Sequence, residues 1–338
     1  MPNKKVVFFE TNEFQKKYLT AKLKNDFDTV FVSDTLNDKN IGLAGEAEYL
    51  GVFINSRVDS KVLQKLPKLK SIVTLSTGFD HIDLQECKKR GITVSNVPHY
   101  GENTVAEHTL ALILAISRKI IPANNRVKEG HFSPKGLVGF DLKGKTLGIV
   151  GCGSIGKHVA KMAFGFDMKL LAMDLYEDIE MKQKYGLKYL PLDKLLEQSD
   201  IVTFHAPYNK STHHLLNKSN INKTKKGVVI INTSRGALIE TDALYDALVE
   251  GQVKAAGLDV LEEEKFLSEE AELLYSDESL VKDLKTVVTN HVLINHPNVL
   301  ITPHSAFNSK EAIQRILDTT CDNLRGFFQG EEINTVAF

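Results

Sequence analysis

The chain carries almost no net charge. Its 42 Lys and Arg stand against 43 Asp and Glu, a formal charge of −1, so no field exists to gather nucleic acid or an anionic membrane. Cysteines are few. Cys87, Cys152 and Cys321 lie far apart and are odd in number; they match no zinc spacing and no disulfide framework, so a reducing cytoplasm and no metal are expected. Long apolar runs are absent as well. The longest, Leu110 to Ile116, is far short of a membrane span, and Lys4 and Lys5 precede too few apolar residues for a signal peptide. No internal repeat or low-complexity segment appears. What is there is 338 residues, 42% hydrophobic and 25% charged, the balance of a globular chain long enough for two domains.

One stretch organises the rest. Lys145 to Val150 reads as a buried strand, Gly151, Gly153 and Gly156 form a GxGxxG turn around Ser154 and Ile155, and helical residues follow from Lys157 to Phe166. Such a turn lets a pyrophosphate approach the backbone at a helix N-terminus. A second apolar run, Lys169 to Met173, ends in Asp174, eighteen residues beyond Gly156. A carboxylate there accepts from both hydroxyls of an adenosine ribose and repels a 2′-phosphate. Leu175 and Tyr176 follow it rather than arginine, so the expected cofactor is NAD.

Before this turn, strand-like runs at Val6–Phe9, Thr29–Val32, Val52–Ile54, Ile72–Leu75 and Ile92–Val94 alternate with helical segments such as Glu13–Leu23 and Ser60–Leu66. That alternation predicts a parallel sheet covered on both faces. Thr104 and Glu107 predict a capping box at the start of a helix that is apolar nearly all round, hence buried, crossing between domains and contacting a second copy in a homodimer. After the glycine turn, strands are expected at Lys169–Met173, Ile201–Phe204, Val228–Ile231, Ala255–Leu258 and Val299–Ile301. The acidic stretch from Leu261 to Asp283 reads as a solvated excursion. A last helix from Asn308 to about Phe328, started by Asn308 and Glu311 and followed by Gly330, is expected to return to the first domain. The predicted domains are therefore 1–100 with 304–338, and 101–303.

Ligands of open α/β sheets sit at the carboxyl ends of strands. Those ends carry Arg235, His304 and a cluster of glutamates at 262 to 264. A dinucleotide enzyme acting on a small keto acid needs a guanidinium fork for the carboxylate, an acid for the oxygen, and a partner to hold that acid. Arg235, His304 and a glutamate near 264 can fill those roles. Each also has an ordinary structural reading, as an ion pair, a core histidine or a wet acidic turn.

The segments Thr77–Asp83, Asn96–Pro98, Val105–His108, Gly151–Gly156, Asn232–Gly236, Gly257–Val260 and Ile301–His304 together resemble the NAD-dependent D-2-hydroxyacid dehydrogenases, in the same order from about Ser71 to Phe307. Within that family the chain is most similar to the D-lactate dehydrogenase branch. The resemblance implies a flavodoxin-like substrate domain and a Rossmann NAD-binding domain with a cleft between them. It implies Arg235 as the carboxylate arginine, Glu264 as the partner of the acid, which sets aside Glu262 and Glu263, and His304 as proton donor and acceptor. Asp259, Thr233 and Ser234 would meet the nicotinamide end, with Ala206, Pro207 and Thr212 beside the cofactor. Thr77 and Gly78 would help hold the carboxylate, and Tyr100 would face the substrate. Two departures bear on the side chain of the substrate: Asn55 stands where an aromatic residue is common, and Phe307-Asn308 where Tyr-Tyr is usual. The rivals are a phosphoglycerate or glyoxylate/hydroxypyruvate reductase, and an NADH-sensing corepressor on the same fold. Against the phosphoglycerate enzyme of the serine pathway, no added regulatory domain is expected in a sequence that ends at Phe338.

Overall fold

Two parallel sheets account for every strand among the described residues, 4–264 and 281–337 of a computed structural model. The first sheet comprises β1 (Lys4–Phe8), β2 (Phe27–Phe31), β3 (Tyr49–Val52), β4 (Ser71–Thr74) and β5 (Thr93–Ser95), in the order β2-β1-β3-β4-β5. The second comprises β6 (Thr146–Val150), β7 (Lys169–Met173), β8 (Lys188–Tyr189), β9 (Ile201–Phe204), β10 (Val228–Asn232), β11 (Val253–Leu258) and β12 (Val299–Ile301). Its order is β12-β11-β10-β9-β6-β7-β8, so the winding reverses between β6 and β9. These are the flavodoxin-like and Rossmann orders, the latter with one added strand. Buried strands of this kind need Val, Ile and Leu on both faces, and β9 and β10 are buried throughout.

The chain divides into one unit of Met1–Tyr100 with Ser309–Phe338, and a second of Gly101–Asn308. The return crossing falls after Asn308, later than position 304, because Asp259 holds the backbone N–H groups of Ser305 and Ala306 in the second unit. In the first unit the core gathers Val7, Phe9, Leu50, Val52, Ile72 and Val94. The final helix, Lys310–Gln329, joins it: Phe328 meets Phe27, Phe327 meets Tyr49, and the Tyr18 hydroxyl donates to Asp318. Its cap is Ser309, whose hydroxyl accepts from Ala312 N; Asn308 is not the cap.

The helix that opens the second unit runs Glu102–Ser117, with Gly101 at its N-cap and no side-chain cap. The expected capping box at Thr104 and Glu107 is not formed, because both residues already lie inside the helix. Nor is the helix buried all round: Glu107 and Ala111 are exposed, and Leu114 to Ile116 half-buried. Its buried face packs on the helix after the glycine turn and on β10 and β11. The acidic excursion lies mostly in residues 265–280, outside the described ones. Among the described residues, no helix is long and apolar enough to cross a membrane, and no group of three or more His, Cys, Asp and Glu is placed to hold a metal.

Candidate active site

The glycine turn lies at the reversal of the second sheet. Gly151 N donates to Met173 O at the end of β7, and His205 N donates to Val150 O, so the ends of β6, β7 and β9 meet there. Gly151 has φ +90, and a Cβ on it would stand 2.4 Å from Ala206 N; only glycine fits. Gly153 is the N-cap of the helix Ser154–Phe164 with no side-chain cap, and its Cβ position faces open space. First-turn N–H groups without a capping side chain beside open space suit the pyrophosphate of NAD. Asp174 follows β7 directly. Its Oδ2 accepts from Cys152 N at 2.6 Å and its Oδ1 from Tyr176 N at 3.1 Å, which ties the acid to the glycine turn. Ala206 is buried, Pro207 exposed, and Thr212 donates to Pro207 O at 2.7 Å.

Past β10 the chain turns through Asn232-Thr233-Ser234-Arg235-Gly236. The Asn232 side chain braces this turn from inside, donating to Arg235 O and accepting from Ser234 N. Ser234 Oγ donates to Ala206 O, and Arg235 Nη1 to Ser234 O. Gly236 lies against the backbone of Leu261 and Glu262, where a Cβ would come within 2.0 Å of Leu261 C. The arginine turn and the glutamate segment are thus in backbone contact.

The three glutamates separate cleanly. Glu262 binds His214 Nε2 at 2.7 Å and the Thr241 hydroxyl at 2.8 Å, a bracing role. Glu263 has φ +54. Glu264 places Oε1 2.6 Å from His304 Nδ1, while its Oε2 accepts from Leu261 N.

His304 itself has φ +50, a strained conformation for a residue with a side chain. The turn around it is held by Asp259, which is 1% exposed. Asp259 accepts from Thr302 Oγ1 at 2.5 Å, Ser305 N at 2.9 Å and Ala306 N at 2.8 Å, and its carbonyl accepts from His304 N. That duty is not legible in the sequence, since the residues it holds lie more than forty positions away. His108 and Thr109 reach the same region from the helix Glu102–Ser117: His108 Nε2 lies 3.0 Å from Thr302 Oγ1 and Thr109 Oγ1 3.0 Å from Thr233 Oγ1. The local signals for them are the place of His108 in the Val105–His108 segment of the resemblance and a polar pair in an otherwise apolar stretch of helix.

Thr77, Gly78 and Tyr100 belong to the first unit. Thr77 donates to Val97 O, Gly78 O accepts from Ser76, and Tyr100 O accepts from Arg315. Asn55 is held there by Glu10 Oε2, at 2.9 Å from its amide nitrogen. His205 follows β9. Burial pushes its imidazole down to about 3, Nε2 meets Thr203 Oγ1 at 2.9 Å, and Nδ1 is sealed without a partner.

Residues 110–306 match the family model of the D-isomer specific 2-hydroxyacid dehydrogenase NAD-binding domain. A 2-hydroxyacid dehydrogenase homolog of Haemophilus influenzae is 36% identical over 326 residues, 95% of each chain. The pyruvate reductase of Chlamydomonas reinhardtii superimposes with a TM-score of 0.87 at 36% identity, covering 97% of both chains. D-lactate dehydrogenase from Aquifex aeolicus, solved with NAD and lactic acid, gives 0.87 at 34% identity over 96% of both.

Proposed function

Since the chain belongs to the D-isomer specific 2-hydroxyacid dehydrogenases, NAD-dependent oxidoreductases, we propose that it interconverts pyruvate and D-lactate with Arg235, Glu264 and His304 as its reacting group of side chains. The observation that carries the reading is the 2.6 Å contact between Glu264 and His304 Nδ1, on segments forty residues apart. Nearly full-length likeness to a pyruvate reductase and a D-lactate dehydrogenase supports the choice of substrate.

In this reading Gly151, Gly153, Ser154, Ile155 and Gly156 receive the pyrophosphate, and Asp174 receives the ribose hydroxyls. Ala206, Pro207, Thr212, Thr233, Ser234 and Asp259 flank the rest of the cofactor. When bound, NAD supplies hydride transfer to and from C2 of the substrate. Arg235 clamps the carboxylate as a bidentate fork, with Thr77, Gly78 and Tyr100 assigned to the substrate side. Glu264 engages Nδ1 of His304, which leaves Nε2 to give its proton to the carbonyl oxygen during reduction and to take it back during oxidation. Asp259 keeps the His304 turn in its strained form.

The homodimer is part of the proposal. Ile120, Ile121, Val127, Phe132 and Val138, each between 44% and 92% exposed, follow the crossover helix in the sequence and are apolar side chains that a second copy would cover. A cytoplasmic setting is supported by three free, buried cysteines.

The test is His304→Gln. Turnover should fall roughly 100-fold or more while NADH binding changes little; an active variant would remove His304 from the mechanism. Loss of NADH absorbance with pyruvate, hydroxypyruvate, glyoxylate and a branched 2-keto acid decides the substrate, and a preference other than pyruvate overturns that part.

A further inference from the structure

We infer that His108 and Thr109, neighbours on the helix Glu102–Ser117, are positioning residues for the two reacting arms: His108 aligns the His304 turn and Thr109 the Arg235 turn. The inference rests on the roles assigned above to His304 and Arg235.

Both residues sit among buried Val105, Ala106, Leu110, Leu112 and Ile113, where helix packing asks only for apolar side chains. Each spends its polar group on a catalytic loop instead. The Thr302 hydroxyl has a single hydrogen, and Asp259 Oδ1 at 2.5 Å receives it. The contact at 3.0 Å between Thr302 Oγ1 and His108 Nε2 is therefore donated by the histidine, which places a proton on Nε2. His108 Nε2 also stands 3.6 Å from Asp259 Oδ1. A relay results: His108 orients Thr302, Thr302 and His108 orient the Asp259 carboxylate, and Asp259 holds Ser305 N and Ala306 N around His304. Left-handed backbone at a non-glycine residue is strained and persists only where its surroundings over-determine it. The relay supplies that constraint.

Thr109 works on the other arm by the same hydrogen accounting. Its hydroxyl donates to Val105 O at 2.8 Å, so the 3.0 Å contact with Thr233 is donated by Thr233, two residues ahead of Arg235. Both tethers leave one turn of one helix, and that helix begins where the chain first passes between units, after Tyr100.

The experiment measures kcat and KM for pyruvate, together with the NADH dissociation constant by fluorescence, in three His108 variants and two Thr109 variants. His108→Leu should lower kcat by roughly 10- to 100-fold, as an ångström of misplacement does, and leave NADH binding within about twofold. His108→Gln, whose amide nitrogen reaches the place of Nε2, should recover to within about threefold, whereas His108→Asn, one methylene shorter, should not. Thr109→Val should raise the KM for pyruvate about tenfold with a smaller change in kcat, and Thr109→Ser should restore it. If His108→Leu fails to fold, the Gln and Asn pair decides. Wild-type kcat in His108→Leu, or equal impairment by Gln and Asn, overturns the inference. His304→Gln is run alongside: activity retained there overturns the reading of the site, whereas activity lost there but kept in His108→Leu overturns this inference alone.

Discussion

Gly236 offers the sharpest perturbation, because its replacement adds one methyl group and no charge. A Cβ there would lie 2.0 Å from Leu261 C and 2.2 Å from Glu262 N, both backbone atoms that cannot swing aside. Ordinary contact begins near 3.4 Å, so the arginine turn and the glutamate segment must part by about 1.4 Å. Overpacking of this kind costs about 1–3 kcal/mol, and in a unit of this size that lowers Tm by roughly 3 to 10 °C. The catalytic loss should be larger than the stability loss suggests. Arg235 precedes the glycine and Glu264 follows the displaced segment, so the carboxylate fork and the support of His304 move apart, and an ångström of error costs roughly 100-fold. The assay is kcat/KM for pyruvate well below Tm, with NADH binding by fluorescence as the check on folding. Gly42→Ala is the control, since its Cβ would meet nothing within 4 Å. If Gly236→Ala lowers Tm yet keeps kcat/KM within about twofold, the two segments need not be in register and the reasoning fails.

Two further outcomes follow from other parts of the second unit. Asp174→Ala should weaken NADH binding by roughly 10- to 100-fold, the loss of a charge-assisted hydrogen bond, and let NADPH compete; unchanged cofactor preference counts against its ribose role. His205 stays neutral when folded, with its imidazole pushed down to about 3 from 6.5, whereas the unfolded chain takes up a proton below 6.5. The unfolded state then binds more protons, so stability falls as pH drops from 6.5 toward 3, by about 2 kcal/mol at pH 5. Urea midpoints of His205→Gln should fall less between pH 7 and 5 than those of the wild type, and an equal fall refutes the assignment.

Local patterns carried the second sheet well. Lys169–Met173, Ile201–Phe204 and Val299–Ile301 are read to the residue, because buried parallel strands are short apolar runs bounded by turns. In the first sheet β1, β2 and β3 begin two or three residues before the apolar run does, β4 begins one before and β5 one after. Lys4, Lys5 and Asp28 look like loop residues, yet they pair in register, Lys4 with Phe27 and Lys5 with Asp28. Helix starts were harder to place, since Gly101 and Ser309 cap where Thr104 and Asn308 offered plausible chemistry. At the site, Arg235, His304 and a cluster of three glutamates stand out by residue type at strand ends, and only the family likeness singles out Glu264 and suggests roles for them. What holds them is hidden. His108 meets Thr302 across 194 positions and Thr109 meets Thr233 across 124, and no spacing rule reports contacts made only when the sheet closes.

The return of the last helix to the first unit also sets an order of events during synthesis. The inserted unit is complete once Asn308 has emerged from the ribosome, whereas the earlier unit still lacks Phe327 and Phe328, the rings that cover Tyr49 and Phe27. The part made first therefore finishes after the inserted one, and its uncovered aromatic face must wait, exposed to chaperones and to aggregation, until the last helix has emerged.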